Sequence, residues 1–142
     1  MKECYYRLSA KAIVRCNDEI LFIKEGNDFW DLPGGGVEHD EEIFQALARE
    51  LAEETGIEKF RMQNVDPIIA KMVDKSADRP LLFLIYLIDI STKDSLKEQP
   101  GIQYKWVKNT NIDFGDFVPF LTPYTDKIQY LAKICNNSAS VV

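Results

Sequence analysis

The pattern of this 142-residue chain predicts a mixed α/β domain, and three observations carry that expectation. Runs rich in branched and aromatic residues recur at Leu8 to Cys16, Ile20 to Lys24, Val65 to Val73, Leu81 to Ile90 and Gln103 to Val107, the composition of strands. Two other segments repeat apolar residues every three or four positions, as a helix with one buried face does: Ile43, Leu47, Leu51, then Tyr124, Ile128, Leu131, Cys135. No repeat, linker or low-complexity block interrupts the alternation. The length suits one domain with its own core, expected over residues 1–142 with 136–142 as a frayed tail.

Each element has a local reason. Asn17-Asp18 supplies turn chemistry between the first two strands. Glu25 to Asp28 reads as a loop, and Phe29 to Leu32 leads into Pro33 and three glycines. The first helix is expected from Asp40 as N-cap, with Glu41 and Glu42 in its first turn and Gly56 just past its end. Leu81 to Ile90 is apolar on both faces and is therefore expected at the centre of the sheet. Asp74 to Pro80 and Ser91 to Gly101 are polar connections. Asn109 to Leu121 is a Phe-rich irregular stretch, and the second helix is expected from Pro123 to Cys135 with Thr122 as its cap.

Composition excludes several function classes. Apolar residues make up 46% and charged residues 28%, with a net charge of −6. A long nucleic acid or an anionic membrane surface calls for a basic face, and no Lys/Arg cluster is present. A small phosphate compound carried with a cation stays open. Cys4, Cys16 and Cys135 are odd in number and widely spaced, without a CxxC pair, which reads as reduced thiols in a cytoplasmic protein. The longest apolar run, Leu81 to Ile88, is eight residues, against roughly 20 for a membrane span. The oligomeric state stays open, a homodimer included.

The richest stretch is Gly35 to Ile57, GGVEHDEEIFQALARELAEETGI. On a helix, Glu50, Glu53 and Glu54 fall at i, i+3 and i+4 and share one face. Three carboxylates so close repel by about 1–3 kcal/mol per pair, a cost that a hard divalent cation with oxygen ligands offsets. Gly35, Glu41, Arg49-Glu50-Leu51, Glu53-Glu54 and Gly56-Ile57 match the Nudix box, G-x5-E-x7-R-E-U-x-E-E-x-G-U with U aliphatic, at every defined position. The chain thus resembles the Nudix hydrolase family, whose fold is an α/β/α sandwich around a mixed β-sheet.

The resemblance implies hydrolysis of a nucleoside diphosphate linked to another moiety, with Mg2+ or Mn2+. It implies Glu50, Glu53 and Glu54 as metal-binding carboxylates, Glu50 being the candidate for activating water. Arg49 would orient them, reaching Glu53 one turn on, with Glu41 in support and Gly34 offering a main-chain carbonyl ligand. Many relatives keep a further glutamate three residues before a Trp-Val pair. Here Trp106-Val107 is preceded at that distance by Gln103, so Glu98 in the loop before it becomes the alternative.

Other candidates are weaker on spacing alone. Lys24, whose strand leads toward the glycines, can contact phosphate, and Phe29 and Trp30 can stack on a base, with core packing favoured for Trp30. Lys11, Arg15 and Lys71 lie on expected strands and by default face solvent. His39 reads as a surface residue. Neither the downstream proline associated with ADP-ribose nor the tyrosine associated with dinucleoside polyphosphates is present near Val73. A nucleoside triphosphate, cleaved to monophosphate and pyrophosphate, is the default expectation. ADP-ribose or dinucleoside polyphosphate hydrolysis, and a catalytically silent nucleotide-binding domain, are the alternatives.

Overall fold

The computed structural model describes residues 3–26, 28–74, 79–110, 112–117, 119–134 and 139–141. In chain order it contains β1 (Arg7–Cys16), β2 (Glu19–Glu25), β3 (Gly34–Gly36), α1 (Ile43–Thr55), β4 (Arg61–Gln63), β5 (Ile68–Asp74), β6 (Arg79–Asp89), β7 (Ile102–Lys108), α2 (Thr125–Lys133) and β8 (Ala139–Val141). All eight strands join one sheet of order β7-β2-β1-β6-β4-β8, with β3 paired to β1 and β5 to β6. The sheet is mixed: β1 and β6 run parallel along Arg7–Arg15 and Leu81–Asp89, and the other pairings are antiparallel.

The two-faced apolar pattern of β6 is explained by its place. Phe83, Ile85 and Leu87 point to one core, where Ile128, Leu131 and Ala132 of α2 pack. Tyr86 and Ile88 point to the other, where Leu47 and Leu51 of α1 pack. Alternation along a strand sends neighbouring residues to opposite faces, so a central strand between two helical layers must be apolar throughout. Each fully buried leucine contributes about 1.5–3 kcal/mol. The result is the expected α/β/α sandwich.

Several boundaries differ from expectation, each for a local reason. Glu41 N donates to Glu38 O at 3.1 Å; this turn holds Asp40 outside the helix. The cap is therefore Glu42, whose N–H donates to Gln45 Oε1 at 3.0 Å, so Glu41 and Glu42 precede the first turn. Gly56 ends α1 in the left-handed conformation, φ 69°, as the sequence indicates. A 3-10 segment, Pro119–Tyr124, contains Pro123 and delays α2 to Thr125. The glycines form strand β3, paired to β1, and Ala139–Val141 pairs with β4 where the sequence predicts a frayed tail. Cys135, residues 136–138, and the middle of the 74–80 connection lie outside the described residues.

Lys11 and Arg15 overturn the solvent-exposed default, being 7% and 5% exposed. Arg15 makes a two-pronged pair with Asp89, at 2.7 and 2.9 Å, and donates to the carbonyls of Ala132 and Ile134. A strand-borne cation can be buried when a carboxylate and helix-end carbonyls satisfy its donors. No helix among the described residues is long and apolar enough to cross a membrane.

Candidate active site

The site forms where α1 meets β3. Ala12 N donates to Pro33 O and Val37 N to Leu8 O, both at 2.9 Å. In the alternation of an antiparallel ladder, Gly34 and Gly36 then occupy positions whose N–H and C=O point away from β1. Helix α1 reads this open edge. Gly34 N donates to Glu54 Oε1 at 2.7 Å, and Arg49 Nη2 donates to Gly36 O at 3.0 Å. The Gly34 carbonyl lies on the same edge.

Both glycines are dictated by contact. A Cβ on Gly34, φ 133°, would fall 2.2 Å from Ala10 O and 2.6 Å from Lys11 Cα. On Gly35 it would meet the Glu50 carboxylate at 2.6–2.8 Å. The helix therefore lays its acids directly on bare backbone.

Arg49 is the organising cation. It donates to both oxygens of Glu41, at 2.7 and 2.9 Å, to Glu50 Oε1 at 3.0 Å, and most distantly to Glu53 Oε2 at 3.5 Å. The pairing one turn on thus exists, but it is the longest of these contacts. These hydrogen bonds from Arg49, with a backbone contact at Glu38, hold the Glu41 carboxyl down at about 2. Glu41 and Glu50 in turn raise the Arg49 guanidinium further into its charged range.

The three helix acids have different surroundings. Glu53 is 60% exposed and Glu50 17%. Glu54 is the secluded member: burial pushes its carboxyl up to about 7, opposed by the Gly34 N–H and the Lys11 charge, with Glu50 and Glu25 adding to the rise. Tyr104 donates its hydroxyl to Glu54 O and accepts from Gln99 N at 2.9 Å. Tyr104 is itself shifted up, chiefly by burial, with Glu98, Glu54 and Glu25 adding to the rise.

The donor set is all oxygen, as a hard divalent cation requires, and the missing Cβ of Gly35 leaves the Glu50 carboxylate room beside the strand. Its chemistry fits Mg2+ or Mn2+. Among the described residues, however, no group of three or more His, Cys, Asp and Glu side chains is gathered for an ion. In this arrangement Arg49 occupies Glu50 and the Gly34 N–H occupies Glu54. A cleft of about 710 Å³ borders the clamp, lined by Tyr6, Arg7, Gly36, His39 and Glu41. Another, of about 630 Å³, lies by Arg15 and Asp89 at the far end of β1, away from these acids.

The remaining candidates are spread out. Glu98 is exposed, on a loop fastened to the end of α1 by Lys97 N donating to Thr55 O at 2.7 Å. Gln103 is exposed, opposite Lys24 in the β2–β7 register, and alternation from Tyr104 turns it to the α2 face. Lys24 and Lys105 both lie over the Trp30 ring, at 4.9 and 4.3 Å from its centre, while Phe29 is 41% exposed. Trp30 packs partly buried on the core and Phe117 is buried; the side chains of Phe114 and Phe120 are outside the described set. His39 is exposed.

Two residues near the acids, Glu25 and Tyr104, escaped the sequence reading, and Lys11, assigned to solvent by default, also acts on Glu54. Glu25 ends β2 opposite Ile102, so only the strand register brings it near Tyr104. Strand periodicity places Tyr104 on the α1 face, but nothing local signals its contact with Glu54.

Residues 6–126 match the family model of the NUDIX domain. The chain belongs to the Nudix family. An 8-oxo-dGTP diphosphatase from Buchnera aphidicola subsp. Schizaphis graminum is 26% identical over 92 residues, covering 63% of this chain and 64% of that relative's length. The MutT protein from Methanosarcina mazei Go1 superposes with a TM-score of 0.69 at 22% identity, over 94% of this chain and 100% of that one. The E. coli ORF135 protein gives 0.72 at 21%, over 92% and 93%. An Ap4A hydrolase from C. elegans gives 0.71 at 19%, over 88% and 93%. At these identities the structural likenesses establish the fold.

Proposed function

We propose that this chain hydrolyses nucleoside diphosphates linked to another moiety, and that its substrate is a nucleoside triphosphate, cleaved to monophosphate and pyrophosphate with Mg2+ or Mn2+. The observation that carries the reading is the Glu54–Gly34 contact beside the Arg49 clamp: a carboxylate face held against an open strand edge. The relative described as an 8-oxo-dGTP diphosphatase supports a triphosphate over ADP-ribose or a dinucleoside polyphosphate.

A pyrophosphate carries several negative charges, which repel an incoming hydroxide from phosphorus. Glu50, Glu53, Glu54 and the Gly34 carbonyl are the groups that would hold a divalent ion, and when bound it would supply charge neutralisation and acidification of water. The protein's part is positioning. Arg49 bridges Glu50 and Glu53 through Nη1, which screens their mutual repulsion, and fixes Glu41, while Gly35 leaves the Glu50 carboxylate beside the strand. Glu50 takes the proton from the attacking water, whose oxygen bonds to phosphorus as the bridging P–O bond breaks. Lys24 and Phe29 are the proposed outer contacts to the nucleotide, and Glu98 a further carboxylate from its loop.

Incubation of the purified chain with Mg2+ and a panel of NTPs, dNTPs, ADP-ribose and dinucleoside polyphosphates tests the substrate. Turnover of only the last two would overturn the triphosphate reading. Loss of activity in Glu53→Gln distinguishes an enzyme from a silent binding domain, in which that change would leave nucleotide binding intact.

A further inference from the structure

Lys11 faces Gly34 across the β1–β3 register and is almost wholly buried. Its ammonium donates to Asp31 Oδ2 at 2.9 Å and to Leu32 O at 3.2 Å. Asp31 Oδ1 accepts from Leu32 N at 2.7 Å, so Lys11 and the Asp31–Leu32 peptide form a closed ring of hydrogen bonds. The same Asp31 is tied to β2 by paired backbone bonds with Ile23, at 2.8 and 2.9 Å. Pro33 then reaches β1 through Ala12 N, and the next residue is Gly34. The entry of the chain into β3 is thus fixed from two strands, with a buried cation at the join.

We propose that Lys11 is a positioning residue of the hydrolytic site: it sets the Asp31–Leu32 segment that presents the Gly34 edge to Glu54. This rests on the hydrolase reading above for its kinetic consequence, though not for its structural one. The ring of bonds leaves Gly34 little freedom relative to β1, where Ala10 O and Lys11 Cα already crowd it. Lys11 also places a positive charge close enough to be felt at the Glu54 carboxylate. A buried lysine is costly unless paired, and an apolar residue would fill this interior site more simply. Its presence is accounted for by what it holds.

The test separates positioning from plain structural pairing. Lys11→Met alone strands the Asp31 carboxylate, so the decisive variant is Lys11→Met/Asp31→Asn, which removes both charges and keeps an oxygen for Leu32 N. Melting temperature, kcat and KM with a turned-over nucleotide, and the 1H–15N resonance of Gly34 are measured together. The expected result is a double variant melting near the wild type, a kcat lower by roughly 10-fold or more, a KM within about threefold, and a displaced Gly34 amide. Lys11→Arg is expected to recover most of kcat.

Unchanged kcat and an unchanged Gly34 resonance in a folded double variant would overturn the proposal. If the double variant does not fold, Lys11→Gln/Asp31→Asn is read the same way, since it also removes both charges and keeps a donor for Leu32 O. A wild-type chain that hydrolyses no nucleotide would defeat the hydrolase reading. The Gly34 resonance would still decide whether Lys11 positions the strand edge.

Discussion

Glu54 accepts a hydrogen bond from the backbone N–H of Gly34 at 2.7 Å, joining the last turn of α1 to the open edge of β3. Everything else at the site is arranged about that contact. Gly34 is crowded by the backbone of β1, and Arg49 binds the same strand at Gly36 O one residue beyond Gly35. Two side chains of one helix thereby fix the strand that carries the main-chain ligand proposed for the cation.

Neighbouring glycines should respond differently to alanine. Gly34→Ala drives a Cβ into main-chain atoms at a positive φ, where nothing flexible can yield, and should lower the melting temperature severely. Gly35→Ala meets first the Glu50 carboxylate, the far end of a flexible side chain, so the fold should survive while kcat falls. Thermal denaturation alongside steady-state kinetics separates the two; equal loss of stability in both would contradict the difference between a backbone and a side-chain neighbour.

Arg49→Lys keeps the charge and loses the planar fork that spans Glu41, Glu50 and Gly36 O. Groups that orient ligands in this way typically matter by roughly 10–100-fold in activity or metal affinity. A loss of that size is expected in both kcat and Mn2+ affinity, the latter read by electron paramagnetic resonance. Wild-type behaviour of the lysine variant would show that charge alone suffices.

Stability without divalent ions should fall as pH rises. Folded Glu54 keeps its proton up to about 7, whereas an unfolded glutamate releases it near ~4.3. Between those values the folded state binds more protons, so Glu54's contribution is present below the lower value and is lost as pH climbs through the upper one. The melting temperature of ion-free protein should decline across that window, and Glu54→Gln should flatten the decline. Identical slopes in the two proteins would refute the assignment. Millimolar Mg2+ should raise the melting temperature at the alkaline end, because a ligand of the folded state stabilises it.

Arg15 offers a control remote from the chemistry. Arg15→Met leaves the part-buried Asp89 with Gln63 as a neutral partner and takes a donor from each of the Ala132 and Ile134 carbonyls, a change expected to cost up to about 3 kcal/mol. Urea denaturation should show that loss while kcat of the remaining folded protein stays near wild type.

The legible parts of this molecule were those whose signal is local. The period of Ile43, Leu47 and Leu51 located α1, Gly56 its end, and the apolar Leu81 to Ile88 run placed β6 between two layers. Pairings across the fold were not legible. Lys11 and Arg15 look like ordinary strand cations until Asp31 and Asp89, 20 and 74 residues away, close on them. The strand made by Gly34–Gly36 has no side chains to announce it; the edge of β1 defines it. Asp40 resembled a helix cap by type, but the Glu38–Glu41 turn postponed the helix by two residues.

The most direct measurement follows the phosphorus itself. Purified chain, incubated with a nucleoside triphosphate and millimolar Mg2+, is monitored by 31P NMR with and without EDTA. The expected spectrum shows nucleoside monophosphate and pyrophosphate appearing together, only when the ion is present. No phosphoric-anhydride cleavage with Mg2+ or Mn2+, across triphosphates and other nucleoside-diphosphate-linked compounds alike, would contradict the assignment of α1 and β3 as a hydrolytic centre.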